Sequence, residues 1–248
     1  MKHTTIKLLS VLTLGVTLAY TSVASAAVIY QDDFNRIGVL NGSEPTITTE
    51  GNQWRSSNWT TDGSAATVSA GGLMAILPFT PVTGYVYTLS ASMNPTTPAG
   101  SPSWFALGFT GRNATDNWFA GGPSSASIFA RVSNDVYPDF YALGPDTGGI
   151  GNLGNYADGV AHLYSITLDT TAINSADWTA SYSVDGNQVI APTRLGYNPT
   201  INYVGFGNDA TGGTIDNFSL TAVPEPSTYA LVLGSIATLL LIRRRIQA

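Results

Sequence analysis

The chain has 248 residues, 44% of them hydrophobic and only 10% charged, with ten basic against sixteen acidic side chains. The charge is unevenly placed: residues 27–222 hold fifteen acidic side chains against five arginines and no lysine, a formal net of −10, and such a surface repels nucleic acid. Cysteine is absent, which removes disulfides and a thiol nucleophile alike.

The first element is a leader. Lys2 and Lys7 are followed by a largely apolar stretch over residues 8–19, and Ala24-Ser25-Ala26 has the small-x-small form of a signal-peptidase site. Cleavage after Ala26 would begin the mature chain at Ala27, outside the cytoplasm. Residues 1–26 are therefore read as a signal peptide and set apart from the fold.

Through residues 27–222 the hydrophobic period is two. Residues 28–34 and 67–79 read as strands, and "YVYTLSASM" (85–93), "WFALGFT" (104–110), "SIFARV" (127–132) and "FYALG" (140–144) alternate or nearly so. The Gly- and Asn-rich residues 144–159 read as a long loop. "HLYSITLD" (162–169), "WTASYSV" (178–184), "YVGFG" (203–207) and residues 214–221 complete the series, with Asp185-Gly186-Asn187 as a hairpin turn. About ten short strands and no helical period predict an all-β domain, an antiparallel two-sheet sandwich.

The last element is a tail, residues 223–248. Pro224, Glu225 and Pro226 precede an uncharged run of fourteen residues, 229–242, and then Arg243, Arg244 and Arg245. As a helix the run is roughly 21 Å long, short of a ~30 Å hydrocarbon core, so it reads as a marginal single transmembrane helix. Three arginines beside it belong on the cytoplasmic side, which leaves the body outside.

Two resemblances follow from these residues. Pro224-Glu225-Pro226, a short apolar run and a terminal arginine cluster resemble the PEP-CTERM sorting signal of bacteria. That resemblance implies an exosortase-type membrane transpeptidase as partner alongside signal peptidase. It also implies transient anchoring in the membrane, and release or transfer to the envelope, the outer surface or an extracellular polysaccharide (biofilm) matrix. The prolines suit that role physically, since they keep Glu225 extended ahead of the helix. In the body, "HLYSITLDTT", "DWTASYSVDGNQV" and "YVGFGNDATGGTIDNFSLT" resemble the last strands of concanavalin A-like lectin/glucanase jelly rolls, including laminin-G-like domains. There the "IDNF" strand is expected beside an N-terminal "DDF" strand, here Asp32-Asp33-Phe34.

Glucanases on that scaffold carry paired glutamates around an aspartate on one strand, because retaining hydrolysis needs two carboxyls about 5 Å apart. The body has only Glu44 and Glu50, in a Thr-rich segment around Pro45. His162, its one histidine, has no Gly-x-Ser-x-Gly elbow to serve. The expectation is therefore that the chain is not an enzyme but a structural or adhesive surface protein with carbohydrate binding as a further capacity. A secreted glycan-active hydrolase and a pure sugar-binding module are the alternatives. Trp59 and Trp118, beside polar turn residues, are the candidate exposed sugar platforms, whereas Trp104 and Trp178 read as core. No cofactor is expected. Asp32 or Asp33 with Asp216 could share a structural calcium, against the default that these carboxylates cap turns.

Overall fold

The computed structural model describes residues 25–68, 73–95, 103–113, 126–132, 140–143, 160–195, 199–208 and 212–225. The chain divides into two units, Ala27–Ala222 and the two ends, Met1–Ala26 with Val223–Ala248. Of the second unit only residues 25–26 and 223–225 are described, so most of the leader and the apolar run lie outside the described residues. Among the described residues no helix is long and apolar enough to cross a membrane.

Sixteen strands are described: β1 (Ala27–Asp32), β2 (Ile37–Val39), β3 (Ile47–Thr48), β4 (Arg55–Ser56), β5 (Trp59–Asp62), β6 (Ala66–Val68), β7 (Leu73–Pro78), β8 (Tyr85–Asn94), β9 (Ser103–Thr110), β10 (Ala126–Val132), β11 (Phe140–Leu143), β12 (His162–Asp169), β13 (Thr179–Val184), β14 (Asn187–Arg194), β15 (Tyr203–Asn208) and β16 (Thr214–Pro224). They form two sheets. The ten-stranded sheet runs β14-β13-β12-β8-β16-β6-β5-β2, with β1 on β16 and β3 on β1, and the six-stranded sheet runs β11-β10-β9-β15-β7-β4. The all-β, two-sheet antiparallel expectation holds.

Period two is written into burial where one face meets the core. Tyr87, Leu89, Ala91 and Met93 of β8, Tyr164, Ile166 and Leu168 of β12, and Ala180, Tyr182 and Val184 of β13 are buried, with half-exposed residues between them. The β13–β14 hairpin turns at Asp185 (φ 50°) and Gly186 (φ 77°), two left-handed residues in succession, as the two-residue turn expected there requires. Asp32 lies opposite Phe218 in the β1–β16 ladder, so the "DDF" and "IDNF" strands do pair.

Two expectations are corrected. The single strand over residues 67–79 is two strands, β6 in one sheet and β7 in the other, so the chain changes sheets between them. The stretch between Ile37 and Asp62, for which the sequence predicts no strand, holds β2 to β5, none longer than four residues and therefore too short to show a period.

Between the sheets lies an aromatic cluster. Trp54 and Trp59 stand 5.1 Å and 4.8 Å from Phe206, and Trp54 stands 5.0 Å from Phe218, in tilted and edge-on pairs. Such pairs add about 0.5–1.5 kcal/mol each beyond the area they bury.

Candidate functional site

Trp59 is not a platform. It is 0% exposed, the first residue of β5 and part of the aromatic cluster, because the strand turns its side chain inward immediately after the left-handed Asn58 (φ 60°). Trp178 is buried as expected, with its Nε1 donating to the Ala172 carbonyl at 3.0 Å. Trp118 lies outside the described residues, as do Ala24, Pro226, Arg243, Arg244 and Arg245. Ala26 and Glu225 are exposed, and Pro224 closes β16 in extended conformation.

The three aspartates considered for calcium have other duties. Asp32, fully buried, accepts two hydrogen bonds from Arg36 at 2.7 Å each, one from Trp54 Nε1 at 2.6 Å and one from the Phe34 amide at 3.0 Å. Both its oxygens are occupied. Asp33 is bound by Thr46 and Asn35, and these hydrogen bonds, Thr46 first, hold its carboxyl below the ordinary aspartate value. Desolvation pushes Asp216 upward, with the charges of Asp33, Asp32 and Asp62 adding to it. Among the described residues no group of three His, Cys, Asp or Glu side chains could hold a metal ion. Arg36 and Trp54 withdraw Asp32 from the expected calcium set, and Asp33 with Asp216 leaves two carboxylates.

Catalytic expectations meet similar local explanations. Glu44 and Glu50 are exposed and outside any strand. His162 opens β12 and lies with its Nδ1 2.6 Å from Asp185 Oδ2 in the hairpin, while Asp185 Oδ1 accepts the Leu163 amide at 2.9 Å.

An open cleft of about 350 Å³ lies instead at the β4 edge of the six-stranded sheet, lined by Asn41, Gly42, Gly51, Asn52, Gln53, Trp54, Arg55 and Pro78. Its groups are fixed from behind. Asn41 Oδ1 accepts the Ser56 amide at 3.0 Å, and Asn52 Nδ2 donates to Tyr30 Oη at 2.7 Å, which in turn donates to the Pro78 carbonyl at 2.6 Å. Burial is the main reason the Tyr30 phenol is raised above its ordinary value, so it stays a neutral donor. Trp54 is 1% exposed with its Nε1 engaged by Asp32, and it contributes support rather than a face.

The sheet register places Tyr203 beside this cleft: Arg55 lies opposite Ile76, and Tyr203 opposite Pro78, across β7. The Arg55 guanidinium sits 5.8 Å from the Tyr203 ring centroid, with Nη1 3.5 Å from the phenol, and that phenol donates to Asn113 Oδ1 at 3.1 Å. Arg36 and Arg194 are paired with Asp32 and Asp177, whereas Arg55 has an aromatic ring against it and its guanidinium is exposed. A cation, a phenol and several amides around an open polar depression can hydrogen-bond hydroxyls and carboxylates, and an aromatic ring beside them can meet a sugar's C–H face.

Inward from Arg55, the sheet face turned away from the core carries two glycines and a serine beyond Ile76. Ile76, Gly205, Gly108 and Ser127 stand in one cross-strand row. A Cβ on Gly205 would strike the Ala75 carbonyl, and one on Gly108 would come within 2.7 Å of the Ala126 carbonyl. Neighbouring strands approach so closely on this face that only glycine fits. Ile76 and Ser127 are 0% exposed, so the accessible part of this region is its Arg55–Tyr203 end.

Arg55 and Tyr203 were not singled out from sequence, and Asn113 stood out only as an Asn-x-Thr sequon of the kind composition produces. The available signal was compositional: Arg55 is one of five cations in a lysine-free body, set between Trp54 and two serines.

No protein-family model matches the chain, and no curated protein matches it. Several solved structures are similar to it. Alginate lyase Aly36B matches at TM-score 0.47 and 11% identity, over 82% of this chain and 98% of that one. The metal-free Emp46p carbohydrate recognition domain matches at 0.48 and 12%, over 77% and 97%, and sheep galectin-11 in complex with glycerol at 0.34 and 11%, over 60% and 96%. The expectation that the chain is not an enzyme is withdrawn, because it rested on the lack of particular motifs alone. The missing paired glutamates exclude one glucanase arrangement, not catalysis by other residues.

Proposed function

We propose that this protein is an exported carbohydrate-binding β-sandwich that engages a glycan at the cleft beside Arg55 and Tyr203. The observation that carries this reading is the Arg55–Tyr203–Asn113 cluster beside a cleft lined by Asn41, Asn52 and Gln53. Polar groups held by backbone and side-chain partners before the ligand arrives lose little entropy on binding. Glycan-array screening of the protein, repeated with Arg55→Ala and Tyr203→Ala, tests it. Binding that falls about tenfold or more in both variants supports the site, and unchanged binding rejects it.

A second reading, glycan cleavage at the same place, is favoured by one feature: the Tyr203 hydroxyl lies between Arg55 and Asn113, a proton-bearing group beside a cation. Turnover of neutral and uronate-containing polysaccharides, lost in Tyr203→Phe with binding retained, would select it over binding alone.

Delivery is part of the proposal. The PEP-CTERM-like tail, with Pro224, Glu225 and Pro226 as its recognition handle, is read as sending the domain to the envelope or an extracellular matrix after exosortase-type processing. Fractionation of cells producing the chain and its Glu225→Ala variant checks this, since unchanged mass and location would remove the sorting reading.

A further inference from the structure

The domain's chain enters and leaves at one end. Ala27 lies opposite Ala222 in the β1–β16 ladder. β16 neighbours β8, and a Cβ on Gly213, just ahead of β16, would come within 2.5 Å of the Asn94 carbonyl that closes β8. The two strands are therefore antiparallel, and β16 finishes beside Tyr85, where β8 begins.

Two loops at this end carry apolar side chains outward. Ile173, between β12 and β13, is 92% exposed, and Val82, ahead of β8, is 58% exposed. Both are firmly held. Thr170 Oγ1 donates to the Val82 carbonyl at 2.7 Å and the Val82 amide donates to Tyr87 Oη at 2.9 Å, so the loops are joined to each other and to the sheet. Trp178 Nε1 fixes the Ala172 carbonyl, and Asn174 Oδ1 accepts the Ala176 amide at 3.1 Å. Asp177 and Arg194 pair at 3.3 Å, while Asp169 at the end of β12 and Glu225 after β16 leave this end net acidic, which disfavours an anionic lipid surface. Ile37 and Val39 on β2, and Val160 and Leu163 near the Asp185 hairpin, are exposed as well, so exposure alone marks no face; what sets Ile173 and Val82 apart is that their loops are joined beside the chain's exit.

Six residues, 223–228, separate Ala222 from the uncharged run 229–242, a reach of at most about 25 Å. We propose that, while the tail is attached, this end of the sandwich lies against a zwitterionic lipid surface, with Ile173 and Val82 at the boundary between headgroups and acyl chains. The proposal rests on reading 229–242 as a membrane segment. Short tethering confines the end to the interface, and the fixed apolar tips give it a preferred face. The opposite end, with the Asp185-Gly186-Asn187 hairpin, then points away from the lipid.

The cysteine-free sequence makes the test direct. The full chain carrying Ile173→Cys, Val82→Cys or Asn187→Cys, each labelled with an environment-sensitive fluorophore, is reconstituted into phosphatidylcholine–phosphatidylethanolamine vesicles. Blue-shifted emission quenched by brominated lipid at positions 173 and 82, with water-like emission at 187, is the expected result. Water-like emission at all three positions from chain that resists alkaline extraction overturns the proposed orientation alone. Chain stripped by alkali shows instead that the tail reading has failed, and the proposal with it.

Discussion

Asp32 and Arg36, four residues apart, meet in a two-pronged ion pair at 2.7 Å, with Asp32 wholly buried and Arg36 capped over the Phe34 ring at 5.8 Å. The intervening turn places Phe34 at φ 50°, a conformation unfavourable for a bulky residue, and the Asp32 carboxylate holds its amide there while the ring enters the aromatic cluster. One carboxylate thus joins β1, the turn and Trp54. Asp32→Asn keeps the size but removes the charge that Arg36 and Trp54 Nε1 address. A loss of about 3 kcal/mol is expected, read as a lower denaturant midpoint with unchanged slope.

Trp59→Ala separates core from site. Removing a fully buried indole costs about 3–5 kcal/mol. Glycan affinity per folded molecule should stay within about twofold of the parent, measured by calorimetry below the variant's unfolding temperature.

Asp216 gives a pH signature. Its folded-state value is raised by desolvation and by the carboxylates around it, so the folded state binds the proton more tightly than the unfolded chain. Its contribution favours folding at acid pH and is lost as pH rises through the raised value. Asp216→Asn keeps an acceptor for the Asn217 amide and removes the charge. It should raise the melting temperature at pH 7 and leave it nearly unchanged at pH 3, as thermal scans at the two values will show.

At the β13–β14 hairpin, Gly186→Ala places a Cβ on a residue with φ 77° where no neighbour lies within 4 Å. The cost is conformational alone, about 1 kcal/mol, visible as a small drop in chemical stability with glycan binding intact.

The long one-faced strands were legible because burial repeats their alternation: residues 162–169 are β12 with identical bounds, and Asp185-Gly186 is the turn expected. Strands of two to four residues between Ile37 and Asp62 were not, because a period needs more than two repeats to show. Trp59 was misread through its neighbours. Asn58 is a turn residue, but the next residue already belongs to a strand facing the core, and flanking polarity says nothing about which way a first strand residue points. The Arg55–Tyr203 contact joins residues 148 positions apart, and it follows from β7 standing between β4 and β15, an order no local pattern reports.

Hydrogen–deuterium exchange of the full protein, with and without a glycan selected by array, measures the central claim most directly. Slower exchange over residues 51–56 and 202–204, with no change at residues 185–187, is the result this account predicts. Protection confined to another part of the sandwich, with the β4 edge and Tyr203 exchanging as before, would contradict it.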